Sequence, residues 1–163
     1  MSGEGSTIEI YGNLWQQFDA DVIFITTNGA LRSDGTAIMG RGCASEAKQR
    51  YPGIEKILGE HIIRNGNVPG YLKTIRLSES KPTALWSFPV KEQWRQPADL
   101  HLIERSALRI RAEFLHTPGG YKLVLPRPGC GSGRLNWEAQ VKPRIERLLD
   151  DKFYVIELRQ QLP

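Results

Sequence analysis

Apolar and polar positions along the chain fall into short runs that alternate between two periods. Thr7–Tyr11 (TIEIY) alternates polar and apolar, the period of a half-buried strand. Asp21–Thr27 (DVIFITT) and Tyr121–Leu125 (YKLVL) are apolar on both faces, as strands in the middle of a sheet covered by helices are. Tyr71–Leu77 and Thr83–Phe88 read as a strand pair across the polar turn Ser78–Pro82, and Phe153–Leu158 (FYVIEL) as a last strand. Helical spacing appears in residues 43–50, in residues 54–64 with Ile54, Ile57, Leu58, His61 and Ile62 on one stripe, in residues 99–115 with Leu100, Ile103, Ala107, Ile110 and Phe114, and in residues 141–149. Asn136 is placed to cap a turn at Trp137, and Pro143 suits a first helical turn. Strands and helices alternate, so the expected class is α/β, a mixed or largely parallel sheet with helices on both faces.

Two loops stand out between these elements. Pro126–Trp137 reads PRPGCGSGRLNW, with Gly129, Gly131 and Gly133 at every second position between a strand and a helix. The loop from Gly29 to Gly42 closes with MGRG, again between a strand and a helix. Glycine permits positive φ and close approach of a ligand to backbone N–H groups, and a helix N-terminus favours an anion, so such loops suit a phosphate. A tight turn that needs glycine for its own geometry explains each loop equally well. Open α/β sheets bind ligands beyond the carboxyl ends of their strands, so the two loops are expected to line one cleft. The spacing fits neither a dinucleotide fingerprint nor a GKS/GKT triphosphate loop.

At 163 residues, 40% hydrophobic and 25% charged, the chain is expected to form one folded domain over residues 7–160 behind a loose tail of residues 1–6. No apolar run is long enough to cross a bilayer and the N-terminus lacks a signal-peptide pattern, which leads to a cytoplasmic expectation. The net charge of +4 is compatible with a polyanionic ligand without requiring one. Cys43 and Cys130 lie far apart, and His61, His101 and His116 stand at no ligand spacing around them, so no zinc site is expected and the cysteines read as small packing residues.

In their order along the chain, GNL at Gly12–Leu14, the strand ending at Asn28, MGRG at Met39–Gly42 and PRPGCGSGRLNW at Pro126–Trp137 resemble a macrodomain, the ADP-ribose-binding module with a three-layer α/β/α fold around a mixed sheet. SFPVKEQWR at Ser87–Arg95 and the Gly-Cys-Gly loop followed by a leucine and a tryptophan are similar to the branch that includes DarG-type antitoxins and the terminal ADP-ribose protein glycohydrolase. The resemblance implies that Asn13, with the backbone of Leu14, takes the adenine amino edge, and that Thr27 and Asn28 lie near the distal ribose. It implies that Met39, Gly40, Arg41, Gly42 and Cys43, with Pro126, Gly129, Cys130, Gly131, Ser132, Gly133 and Arg134, enclose the pyrophosphate and distal ribose. Lys91 matches the lysine that antitoxin macrodomains need to remove ADP-ribose, and Arg95 is a candidate for the nearby charge that lowers its pKa. Where the protein-acting glycohydrolase carries an aspartate, this chain has Gly133; the implied substrate is therefore an ADP-ribosylated nucleic-acid base, single-stranded DNA included. No cofactor or metal is implied, and the expected protein is a monomer without the antitoxins' toxin-binding domain. Three other functions stay open: an ADP-ribose reader, a hydrolase of protein-linked ADP-ribose or of ADP-ribose 1″-phosphate, and a nucleic-acid binder with structural glycine loops.

Overall fold

The computed structural model describes residues 5–159, so residues 1–4 of the expected tail, and residues 160–163, lie outside the described residues. The elements are β1 (Ile8–Gly12), a 3-10 turn (Leu14–Gln16), β2 (Val22–Asn28), α1 (Gly42–Arg50), α2 (Ile54–Asn65), β3 (Gly70–Ile75), β4 (Thr83–Lys91), α3 (Leu100–Glu113), β5 (Leu123–Pro126), a π-helical turn (Trp137–Val141), α4 (Lys142–Ile145) and β6 (Phe153–Leu158). They form one six-stranded sheet in the order β1-β6-β5-β2-β4-β3. Every pairing is parallel except β3 with β4, so the sheet is mixed and five strands end at the same edge.

β2 lies between β5 and β4, as its two apolar faces require. Ile23 and Ile25 pack with Ala47, Ile54 and Leu58 of α1 and α2. Val22 and Phe24 face the other way, onto Ile103, Ala107 and Ile110 of α3 and Ile145 of α4. The alternation of one strand thus divides the interior into two cores with the sheet between them. Phe24 anchors the second core by meeting Trp86, Phe88 and Phe114 edge-on at 6.0–6.3 Å. Burying a side chain of this size is worth roughly 1.5–3 kcal/mol.

Several features differ from the sequence expectation. β4 runs on through Pro89 and Val90 to Lys91, where the sequence suggested a loop from Pro89. β3 pairs only as far as Ser87, and the Pro89 carbonyl accepts from Ser106 Oγ, so a proline fits here without breaking a two-sided ladder. The last helical segment begins at Trp137 rather than Val141, with Asn136 Oδ1 accepting from Ala139 N–H. It is wound as a π turn over Trp137–Val141, just before Pro143, whose missing N–H removes an ordinary helical bond. On α2, Ile57 is exposed rather than buried, because the helix meets the preceding loop at Gly59, where a Cβ would run into the Gly35 carbonyl.

Candidate functional site

The shared carboxyl edge of β2, β4, β5 and β6 opens into a cleft of about 920 Å³. Both glycine loops line it, together with Thr26–Asn28 at the end of β2, Val90 and Lys91 at the end of β4, Pro126 and Arg127 after β5, and Ile156–Leu158 of β6. The loop before α1 reaches the cleft with Gly42 at φ 60° and with Arg41 as an N-cap that makes no side-chain capping bond. In that loop a Cβ at Gly40 would meet nothing in the protein. The second loop turns at Gly129, φ 75°, and is closed by Leu135 N–H donating to the Gly129 carbonyl at 2.9 Å. Two polar atoms on the cleft residues are buried without a partner, Thr27 Oγ1 and Arg127 Nε. Unsatisfied buried groups of this kind are rare.

Lys91 is only 7% exposed. Its Nζ donates to the Trp94 carbonyl at 3.1 Å, and no carboxylate pairs with it among the described residues. Burial above all, and then the guanidinium groups of Arg41 and Arg134, hold its pKa below the ordinary lysine range. The charge expected from Arg95 comes from these two arginines instead, because the Arg95 guanidinium lies over the Trp94 ring at 4.7 Å. A buried amine beside two cations and without a counter-ion has an enlarged neutral, nucleophilic fraction.

The far arm of the cleft is built on Glu9 of β1. Its carboxylate accepts from Trp137 Nε1 at 2.8 Å and from Lys142 Nζ at 2.6 Å. Arg127 reaches Glu9 and Glu157 at 3.5 Å each and lies 5.2 Å from the Trp137 ring. The Lys142 hydrogen bond is the main reason that the Glu9 pKa is lowered.

No family model matches the chain. The macrodomain of Thermus aquaticus DarG superposes with a TM-score of 0.70 at 23% identity, covering 96% of this chain and 99% of that one. Thermosipho africanus DarTG, solved in complex with ADP-ribose, gives a TM-score of 0.72 at 21% identity over 97% of this chain and 43% of that one. The chain has the macrodomain fold. A DNA ADP-ribosyl glycohydrolase of Thermus aquaticus is 28% identical over 119 residues, which are 69% of this chain and 31% of that protein. The macrodomain therefore spans about a third of the length of this curated relative.

Most residues singled out in the sequence meet in the macrodomain cleft: Thr27, Asn28, Met39–Cys43, Lys91, Pro126 and Gly129–Gly133 all line it. Three do not. Asn13 Oδ1 accepts from Trp15 N–H at 2.9 Å as the cap of the 3-10 turn, and Leu14 is buried in the core. Arg134 is exposed just past the second loop, with φ 67°, a left-handed conformation unusual for a side chain of this kind. Asn28 lines the cleft, but its amide holds the loop, donating to the Ile38 carbonyl and accepting from Ala30 N–H. Neither cysteine is a poised nucleophile: burial raises the pKa of Cys43, whose Sγ packs on Thr26, and pushes that of Cys130 up to about 11. Periodicity did not signal Arg127, Arg32 or the β6 end as cleft residues; the rule that ligands sit at parallel strand ends would have reached Ile156–Leu158 once β6 was known to lie beside β5.

Among the described residues no cluster of three or more His, Cys, Asp or Glu side chains could hold a metal, and no helix is long and apolar enough to cross a membrane.

Proposed function

We propose that residues 7–160 form one macrodomain that binds ADP-ribose in this cleft and hydrolyses it from a nucleic-acid base, with Lys91 as the catalytic residue. The observation that carries the reading is a nearly buried lysine, free of any carboxylate partner, between two glycine loops at the strand ends. The backbone donors of both loops suit a pyrophosphate, and the arm at Arg127 and Trp137 suits the aromatic end of the ligand. The names of the similar proteins, a complex with ADP-ribose and a DNA ADP-ribosyl glycohydrolase, support the choice of ligand and linkage.

In this reading the neutral Lys91 amine attacks the anomeric carbon, the bond from that carbon to the base breaks, and the base leaves with the electron pair and takes up a proton. Water then hydrolyses the lysine adduct, releasing ADP-ribose and regenerating the amine. The chain has Gly133 where the protein-acting branch that the sequence resembles carries an aspartate, and this supports a base over a glutamyl ester as the linkage. The same reading makes the chain a monomer acting on single-stranded DNA in the cytoplasm.

The test is turnover of ADP-ribosylated single-stranded DNA by wild type and Lys91→Ala, with ADP-ribose affinity measured for both. The expected result is loss of turnover by about 100-fold or more with affinity changed little. One contact favours a second reading: Lys91 Nζ is already engaged by the Trp94 carbonyl, as in a reader that uses the residue structurally. Tight binding by both proteins without turnover of any conjugate would select the reader.

A further inference from the structure

β4 does not reach the cleft as a regular strand. Thr27 of β2 pairs with Pro89, but the next residue, Asn28, pairs with Lys91, so Val90 is an extra residue in β4. Such a bulge disrupts the ladder and re-aims the side chains beside it. Val90 and Lys91 both line the cleft at this bulged end of β4.

A bulge leaves backbone groups that the ladder no longer satisfies, and their partners decide how firmly it is held. The Lys91 carbonyl accepts from Gly29 N–H at 3.1 Å and from Asn67 Nδ2 at 3.2 Å. The same Asn67 amide donates to Glu92 Oε2 at 3.1 Å, and Gly29 N–H also reaches the Glu92 carbonyl. Asn67 comes from the short α2–β3 loop, outside the cleft wall. That loop is itself fixed: Gly66 N–H bonds the Ile62 carbonyl at 2.8 Å, and His61 Nε2 bonds the Val68 carbonyl at 2.7 Å. With Asn65 Nδ2 donating to His61 Nδ1, the His61 proton lies on Nε2 and is given to Val68.

Two further details mark Asn67 as specifically fitted. A Cβ at residue 29 would lie 2.8 Å from the Asn67 amide, so the side chain fits only against a glycine. Its Oδ1 is buried without a partner, so the amide is oriented for the bonds it donates and leaves its acceptor unused.

We infer that Asn67 is a positioning residue for Lys91, clamping the bulged end of β4 so that the lysine amine is held in the cleft. The inference rests on the catalytic reading of Lys91 for its consequence in turnover, but the clamp itself is measurable without turnover. The charged groups that depress the amine's pKa are Arg41 and Arg134; Arg32, Arg127, Glu138 and Glu157 line the same cleft, and Glu92 on the neighbouring position is turned to Asn67. Loosening the clamp admits water to a buried amine, which favours its protonated form.

The experiment compares wild type and Asn67→Ala in three readouts: kcat and KM on ADP-ribosylated single-stranded DNA, ADP-ribose affinity, and the pH dependence of Lys91 acylation by limiting acetic anhydride, read by peptide mass spectrometry. In the variant kcat falls by about 10- to 100-fold with KM and ADP-ribose affinity within about twofold, since small displacements of a reacting group are costly. The Lys91 acylation curve and the pH–rate profile move together to higher pH. Gly29→Ala, which pushes the amide away from outside the cleft, gives the same shift and keeps the test open if Asn67→Ala does not fold. A folded variant whose Lys91 acylation curve matches wild type overturns the inference. If Lys91→Ala retains turnover, the catalytic reading fails instead, and the acylation curves still decide whether Asn67 positions the lysine.

Discussion

The two glycine loops look alike in sequence and differ in what their glycines are for. In the first, Gly40 and Gly42 have open space where a Cβ would go, and Gly42 needs a positive φ to start α1. In the second, Gly129 combines positive φ with crowding: its Cβ would sit 2.8 Å from Ala98 Cβ and 2.9 Å from Ile103 Cδ1. Gly133 folds back onto it, so closely that a Cβ would lie 2.6 Å from the Gly129 carbonyl oxygen. Only Gly131 in that loop has open space where a Cβ would go. Gly40 and Gly42 are therefore open where a Cβ would go, and two of the three glycines of the second loop are crowded. Glycines with open space at the Cβ position and glycines that permit close packing, indistinguishable in the sequence, are both present.

The largest effect that would break this contrast is at Gly133. Gly133→Ala forces backbone apart at Gly129 and is expected to lower stability by roughly 1–3 kcal/mol, read as a fall in melting temperature, and to weaken ADP-ribose binding with it. An aspartate there does at least as much damage. The position where a related branch carries its acid group thus cannot accept one in this loop conformation.

A smaller effect sharpens the contrast, because one arginine beside each loop bears on the charge of Lys91: Arg41 precedes α1 and Arg134 follows the second loop. Both hold the lysine pKa down, although burial is the larger cause. Replacing both with alanine raises that pKa toward the ordinary range, so less neutral amine is present at pH 7. The expected result is a severalfold loss of turnover at neutral pH that recovers as pH rises. Equal losses at all pH values would mean the arginines act elsewhere.

The mildest prediction concerns Gly40. With nothing for a Cβ to strike, Gly40→Ala leaves the melting temperature unchanged but intrudes on the ligand side, costing about 1 kcal/mol of ADP-ribose affinity, or roughly fivefold. A destabilised fold with unaltered affinity would reverse the roles assigned to the two loops.

Much of this was readable from the chain. The double apolar face of β2 announces a central strand, and strand-loop-helix order brings both loops to one edge. What escaped depended on partners distant in sequence. Pro89 looks like a strand breaker until β3 is seen to stop pairing at Ser87 and Ser106 to take the proline carbonyl. Asn13 also caps the 3-10 turn through Trp15, a role its motif did not announce. The partners of Arg127 in the cleft wall, Glu9 and Glu157, come from β1 and β6, far away in sequence. Asn67 carries no periodicity or motif, and its contact with Lys91 spans 24 residues of sequence.

The most direct test of the central claim, that this cleft is an ADP-ribose site, is a calorimetric titration of the wild-type protein with ADP-ribose. Saturable binding with one site per chain, weakened in Gly40→Ala while that variant keeps the wild-type melting temperature, is the expected result. A folded wild-type protein that gives no binding heat at any temperature tested, and no displacement of a labelled ADP-ribose, would contradict it.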